Sequence, residues 1–278
     1  MSGFDPAWLD LREPADAAAR SMELLARTTA LFAAEADVSV ADLGCGTGSL
    51  LRALAPLLPR HQRWLLIDGD PVVLSAAIPR LSAWAERAER TTEGLLLIRA
   101  GKEIRVAFRR ADLADDPLPV QAGEADLVGA SALFDLVSVE WLERFADLLA
   151  ASRLPLYAAL SYDGRMSWTP PHHHDARVEA LFNQHQTRDK GTGAALGPAG
   201  AAARAEALRR RGYEASHAES PWLLRAADKT LTQATMDGVA SAAAELEPGE
   251  LIEAWRAAPR REAIIGHLDL LATPPTGE

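Results

Sequence analysis

The stretch Val38–Ser49, VSVADLGCGTGS, constrains this chain more than any other. Small and apolar residues lead into Asp42, glycine falls at 44, 46 and 48, and the helix-like run SLLRALAPLL follows. A short strand running into glycines and then a helix is the opening of a nucleotide-binding α/β unit. Glycine is needed there because the backbone turns tightly and a ligand approaches it closely. A helix start also offers free N–H groups to partial negative charge. The spacing is G-x-G-x-G with Ser49 next, so the sixth position of the dinucleotide fingerprint G-x-G-x-x-G is not glycine.

Downstream, RWLLIDGDPVVL reads as a second strand ending in Asp68, with one intervening helix separating it from the glycines. An acidic side chain at the end of the second strand of such a fold accepts hydrogen bonds from ribose hydroxyls. Asp68 also precedes a helix, but Asp70 suits that N-cap better. With Asp42 ahead of Gly44, Gly46 and Gly48, the chain resembles the class I S-adenosylmethionine-dependent methyltransferases over roughly residues 37–161.

The resemblance implies a cofactor site. Gly44, Cys45 and Gly46 pack against the methionine moiety of S-adenosylmethionine, and Asp42 organises its ammonium. Asp68 and Gly69 take the ribose. Asp112 in RADL, with the Leu113 backbone, takes the adenine, unless Asp112 is only a turn residue. Ser131, with its small neighbours, leaves room for the methyl group. A helix ahead of the first strand closes over the methionine end in this family, which makes Arg12, Glu13, Arg20 and Ser21 candidate contacts; a solvated amphipathic face is the plainer reading of them. Cys45 has no activating neighbour and reads as a small turn residue.

At 278 residues the chain accommodates one large α/β domain. A net charge of −10 argues against wrapping a nucleic-acid backbone. A single cysteine excludes an intrachain disulfide. No apolar run is long enough for a bilayer, and no signal-peptide pattern opens the sequence, so a cytoplasmic protein without membrane contact is expected. The oligomeric state is not legible.

The order of patterns predicts an α/β fold: a doubly wound, mostly parallel seven-stranded sheet with an N-terminal helix and a lid inserted after the fifth strand. Its parts are a helical segment over 1–35, a cofactor-binding core over 36–165, a lid over 166–200 and a C-terminal completion of the sheet over 201–278. Strands end at Asp42 and Asp68 and then cover Ala125–Ala130 and Leu154–Ser161. LLLIRAGKEIRVAFRRADL reads as a hairpin at the third strand. Helices are expected over 71–90, about 140–150, 199–211, 226–244 and 251–258, strands over 213–223 and 263–271, and a frayed tail over 273–278.

Residues 166–200 are rich in Pro, His and Gly, and four of the seven histidines fall there. A segment this long between sheet elements reads as a binding loop. Three successive histidines cannot converge on one small site, and no metal-ligand set stands beside them. A proton acceptor is the better use of a residue that titrates near neutrality. His172 and His185, then His174, are the candidate bases, against a reading as exposed loop residues. Tyr162, Trp168, Arg188 and Lys190 are candidate substrate contacts, and Trp222 a candidate wall. Asp135, in DLVGASALFDLVS, either orients substrate or caps the next helix. That stretch lacks the motifs of nucleic-acid amino and cytosine methyltransferases.

These readings imply methyl transfer from S-adenosylmethionine to a small-molecule O, N or C nucleophile, giving S-adenosylhomocysteine. The alternatives are a non-catalytic S-adenosylmethionine-binding partner of the same fold, a propylamine-transferring enzyme and a nicotinamide oxidoreductase.

Overall fold

The computed structural model describes residues 5–275. Strand β1 (Asp37–Leu43) lies at the centre of one sheet, because its side chains after Asp37 are all buried on both faces. It pairs in parallel with β2 (His61–Asp68) and with a later strand, Leu127–Ser131. Two helices precede it: α1 (Pro6–Ala19) and α2 (Met22–Ala30). Asp5 caps α1 through the Ala7 N–H, and Pro6 sits at its first position, where no N–H is required. The segment is thus two helices rather than one, with the break at Arg20 and Ser21 in extended conformation.

After β1 the chain runs through a short α3 (Ser49–Leu54), β2 and α4 (Pro71–Trp84). An arm of β3 (Arg87–Arg90) and β4 (Gly94–Arg99) follows, then β5 (Lys102–Arg110), β6 (Leu127–Ser131), α5 (Val139–Ser152) and β7 (Leu156–Thr169). The remainder is α6 (Asp175–Gln186), α7 (Gly200–Arg209), β8 (Glu214–Glu219), β9 (Trp222–Leu224), α8 (Lys229–Ala244), α9 (Glu250–Ala257) and β10 (Glu262–Thr273). The order across the sheet is β3-β4-β5-β2-β1-β6-β7-β10-β8, with β9 also on β10. β5, β2, β1, β6 and β7 are parallel, and β10 is antiparallel to both β7 and β8.

Among the described residues ten strands therefore stand where seven are expected from the sequence. The β4–β5 hairpin is where the sequence puts it, and β3 is an added turn of chain taken from the end of the expected 71–90 helix, which stops at Trp84. The 213–223 strand is split at Ser220 and Pro221 into β8 and β9. Of the expected tail, Thr273 closes β10, and 276–278 lie outside the described residues.

One face of the sheet is covered by α2, α3 and α4 through Leu24, Leu50, Leu54 and Leu81, the other by α5 and α7 through Phe145, Leu149 and Leu208. β7 and β10 run on past the end of their neighbours, and a third apolar cluster gathers there from α1, α6, α8 and α9. Two irregularities in the β7–β10 ladder, between Ile265 and His267 and between Leu268 and Leu270, change which side chains face inward. Asp269 is fully buried as a result and accepts from the Ser21 N–H at 2.9 Å, the Leu160 N–H at 2.8 Å and the Tyr157 hydroxyl at 3.1 Å. Leu160 holds φ +58°, a strained conformation for a branched side chain, and this hydrogen bond fixes it. Among the described residues no helix is long and apolar enough to cross a membrane.

Candidate functional site

The carboxyl ends of β1, β2 and β6 open onto a cleft of about 350 Å³, where ligands of open α/β sheets are held. Gly44, Gly46 and Gly48 adopt φ of +62°, +55° and +86°, all in the left-handed region, so the turn after β1 requires glycine at each of the three. A Cβ on Gly46 would lie 3.4 Å from Leu9, and one on Gly44 3.6 Å from Leu133; the glycines keep the cleft floor open between α1 and the loop after β6. The turn is followed by a helix of only six residues, so its dipole adds little to the site.

Asp68 ends β2 and lines the same cleft. Its carboxylate accepts the Gly46 N–H at 3.1 Å and the Asp70 N–H at 3.0 Å. A carboxylate has about four acceptor positions, so lone pairs remain for a ligand. Burial raises its pKa, and the backbone N–H groups of Asp70, Gly46 and Gly69 oppose that rise. Asp70, not Asp68, caps α4, through the Val72 N–H at 2.8 Å.

Asp42 is completely buried, and neither carboxylate oxygen has a hydrogen-bond partner. Burial pushes its pKa up to about 8, with the Arg20 guanidinium pulling the other way and Asp68 adding to the rise. Arg20, at the break between α1 and α2, is buried as well. Its Nη2 donates to Ser131 Oγ at 2.9 Å, while Nε and Nη1 have no partner. A buried acid on the cleft wall and a buried base behind Ser131 are thus both short of hydrogen bonds.

The remaining walls come from three places. Asp112 and Leu113, after β5, flank the Asp68 side, and the Asp112 side chain accepts the Ala114 N–H at 2.9 Å. Ser131, Ala132, Leu133 and Leu136 follow β6. Leu9, Arg12 and Asp16 of α1 form the roof. Arg12 is bound to Asp16 at 2.9 and 3.1 Å and lies over the Trp222 ring at 5.1 Å, and Trp222 Nε1 donates to Asp16 at 2.9 Å. Glu13 faces Arg52 of α3 at 2.5 Å, which ties the roof to the turn.

Asp42, Gly44, Cys45, Gly46, Asp68, Gly69, Asp112, Leu113 and Ser131 are therefore brought together around this cleft, with Arg20 behind Ser131. Cys45 is buried, and burial pushes its thiol pKa up, as for an inert packing residue.

The expected lid is a different object. β7 does not stop at Ser161 but continues to Thr169 against β10, and none of the seven residues expected to roof the cleft from this segment lines it. Tyr162 is buried and donates to Asn183 at 2.8 Å; Trp168 is buried against Trp255 with ring centres 5.3 Å apart. His172 and His174 form the turn ahead of α6, where the His174 N–H donates to His172 Nδ1 at 3.3 Å. His185 meets Glu245 at 3.1 Å and Arg188 meets the same carboxylate at 2.6 Å. Lys190 lies in the small turn closed by the Asp189–Ala194 bridge. The structure thus sets His172, His174, His185, Tyr162, Trp168, Arg188 and Lys190 outside the lining of this cleft and gives no support there to the proton-acceptor and substrate roles expected for them. The roof is α1, and the lining includes residues that no sequence pattern marks, among them Leu9, Asp16, Leu133 and Leu136.

No family model matches the sequence, and no curated protein matches it. Solved structures do. A candidate methyltransferase from Bacillus halodurans superposes with a TM-score of 0.51 at 12% identity, over 91% of this chain and 99% of that one. The YcgJ protein from Bacillus subtilis superposes with a TM-score of 0.53 at 10% identity, over 92% and 100%. At such identities the likeness is one of fold alone.

Proposed function

We propose that the chain is an S-adenosylmethionine-dependent methyltransferase acting on a small molecule. The single observation that carries this reading is a pair of buried, unsatisfied groups: both oxygens of Asp42, which lines the cleft, and Nε and Nη1 of Arg20, which stands behind Ser131 of the cleft wall. A ligand with an ammonium and a carboxylate on one carbon supplies what each lacks, the ammonium to Asp42 and the carboxylate to Arg20. At the other end Asp68 offers acceptors for ribose hydroxyls, and Asp112 with the Leu113 backbone offers an edge for adenine. The two ends together fit an amino acid joined to adenosine, and a cleft of about 350 Å³ suits a ligand of that class.

When bound, the sulfonium of this cofactor supplies an electrophilic methyl group. The protein then has three tasks. Asp68 and Asp112 hold the adenosine; Asp42, Arg20 and the glycine turn hold the amino-acid end; Ser131, Leu133 and Leu136 shape the space beside the middle of the cleft, where an acceptor is positioned. α1 closes over that space and keeps bulk water out of it.

The alternative of a non-catalytic cofactor-binding protein makes the same binding prediction and differs only in turnover. Calorimetric titration with S-adenosylhomocysteine tests the shared part. One site per chain is expected for the natural sequence, with strongly reduced affinity in Asp42→Ala. Absence of binding overturns both readings, and binding without methyl transfer to any small nucleophile favours the alternative.

A further inference from the structure

β3 stands at one end of the strand order, paired with β4 on one side and with no strand on the other among the described residues. Every residue from Glu86 to Glu93 is exposed. Charge on an edge strand ordinarily discourages pairing with another chain. Here residues 86–90 read Glu-Arg-Ala-Glu-Arg, without net charge in a chain whose net charge is −10. Among the described residues Arg87, Glu89 and Arg90 enter no side-chain hydrogen bond or ion pair, whereas Arg80, Arg99, Arg105 and Arg109 nearby are each engaged. Glu86 accepts the Ala100 N–H at 2.9 Å through one oxygen and keeps the other free.

The backbone dictates how a further strand meets β3. The Thr91 N–H donates to the Gly94 carbonyl at 3.0 Å and closes the β3–β4 hairpin. In an antiparallel ladder, pairs that exchange hydrogen bonds alternate with pairs that do not. Counted back from Thr91 in the observed register, Glu89 with Leu96 and Arg87 with Ile98 are the bonded pairs, so the N–H and C=O of Ala88 point away from β4. A second copy, antiparallel about a two-fold axis at Ala88, satisfies both: each Ala88 N–H donates to the other copy's Ala88 carbonyl. The same register sets Arg87 opposite Glu89 of the second copy, Glu86 opposite Arg90, and the reverse. Each such pair shares one face of the joined sheet, and the small Ala88 side chain occupies the axis, where like meets like. Moving the axis by half a residue sets Arg87 against Arg90, or Glu86 against Glu89, so charge selects this register.

We propose that β3 is a homodimer interface, through which two copies of this chain pair edge to edge about Ala88 and join their sheets. The occupant is a second copy because the charge order of the strand complements itself when reversed, which an isologous contact requires and a contact with an unrelated strand does not. The contact is short and solvated, so the dimer is a weak one. None of residues 86–90 lines the cleft, and the proposal is independent of what the cleft binds.

The test is sedimentation equilibrium of the full chain in about 0.1 M salt, where a Debye length of about 10 Å screens the net charge of the two copies but not pairs in contact. The natural protein is expected to show a monomer–dimer equilibrium with a Kd on the order of 100 μM or tighter. Arg87→Glu and Glu89→Arg each set like charges opposite one another and are each expected to weaken the dimer about tenfold. Glu89→Arg does so although it lowers the net negative charge, which separates the contact from general repulsion. The double variant Arg87→Glu/Glu89→Arg exchanges the two signs and is expected to restore the dimer. An equimolar mixture of the two single variants is expected to form the mixed dimer. Unfolding midpoints close to the natural one show that each variant is folded. A natural chain that stays monomeric, or a dimer indifferent to the single substitutions, overturns the proposal. If either the double variant or the mixture fails to recover the dimer, pairing about Ala88 is wrong and the proposal falls.

Discussion

The Gly46 N–H donates to the Asp68 carboxylate at 3.1 Å, so the turn after β1 and the end of β2 form one unit across 22 residues of sequence. The acidic residue that is assigned to the ribose also holds the glycine turn in place. Two functions in one side chain make it sensitive to truncation.

Asp68→Ala is therefore expected to weaken S-adenosylhomocysteine binding by about 2 kcal/mol or more, roughly thirtyfold in Kd, since hydrogen bonds to an ionised group are lost. Asp68→Asn keeps the shape and one acceptor oxygen and should lose less. Isothermal titration of the three proteins checks this order. Equal affinity across the series removes Asp68 from the site.

Asp42 gives a pH signature. Its pKa in the free protein is raised to about 8, mainly by burial, so near neutrality the folded free form carries this proton. An ammonium ligand favours the ionised carboxylate, and binding at pH 7 should release up to about one proton. Titration in buffers of different ionisation enthalpy measures the release, which should be absent in Asp42→Asn. The stability sign follows from the same shift. The folded state binds this proton more tightly than the unfolded chain, so its contribution is present at low pH and is lost as pH rises through about 8.

Asp269 is the stability counterpart. Three donors converge on it, two from backbone and one from Tyr157, with the Tyr157 and Leu160 bonds buried and the Ser21 bond part-buried. Asp269→Ala leaves two buried donors and one part-buried donor unpaired and should cost about 3–5 kcal/mol. Denaturant unfolding is expected to show this as a lower midpoint with little change in slope. A loss below about 1 kcal/mol contradicts the role given to it.

The histidines supply a negative prediction. His172, His174 and His185 lie off the cleft, with His185 engaged by Glu245. Each alanine variant should retain cofactor affinity within about twofold, a change of under 0.5 kcal/mol. Turnover should also be preserved, once an acceptor is in hand. A large loss of turnover in His185→Ala at unchanged affinity restores the sequence-based expectation.

What was legible in the sequence is what is local in it. The left-handed turn at Gly44, Gly46 and Gly48, and the acids that end β1 and β2, follow from short strings whose backbone needs name their residues. Asp112 and Ser131 sit at the next strand ends in the same order. The roof was harder. Arg20 looks like one more charge on an amphipathic helix until Ser21, tied by its N–H to Asp269, breaks that helix and turns Arg20 inward. The course of the chain after Ser161 is set by a long-range pairing. Ser161 reads as the end of a strand, but pairing with β10, a hundred residues on, extends β7 to Thr169 and sends Trp168, Val178 and Leu181 into the third core cluster. No short-range pattern announces that pairing.

The central claim is that the cleft between α1 and the glycine turn holds an adenosine bearing an amino acid. A crystal structure grown with S-adenosylhomocysteine tests it most directly. The expected result places the ribose hydroxyls on Asp68, the ammonium on Asp42 and the carboxylate on Arg20. Ligand bound elsewhere, or a cleft without ligand at a saturating concentration, contradicts the account.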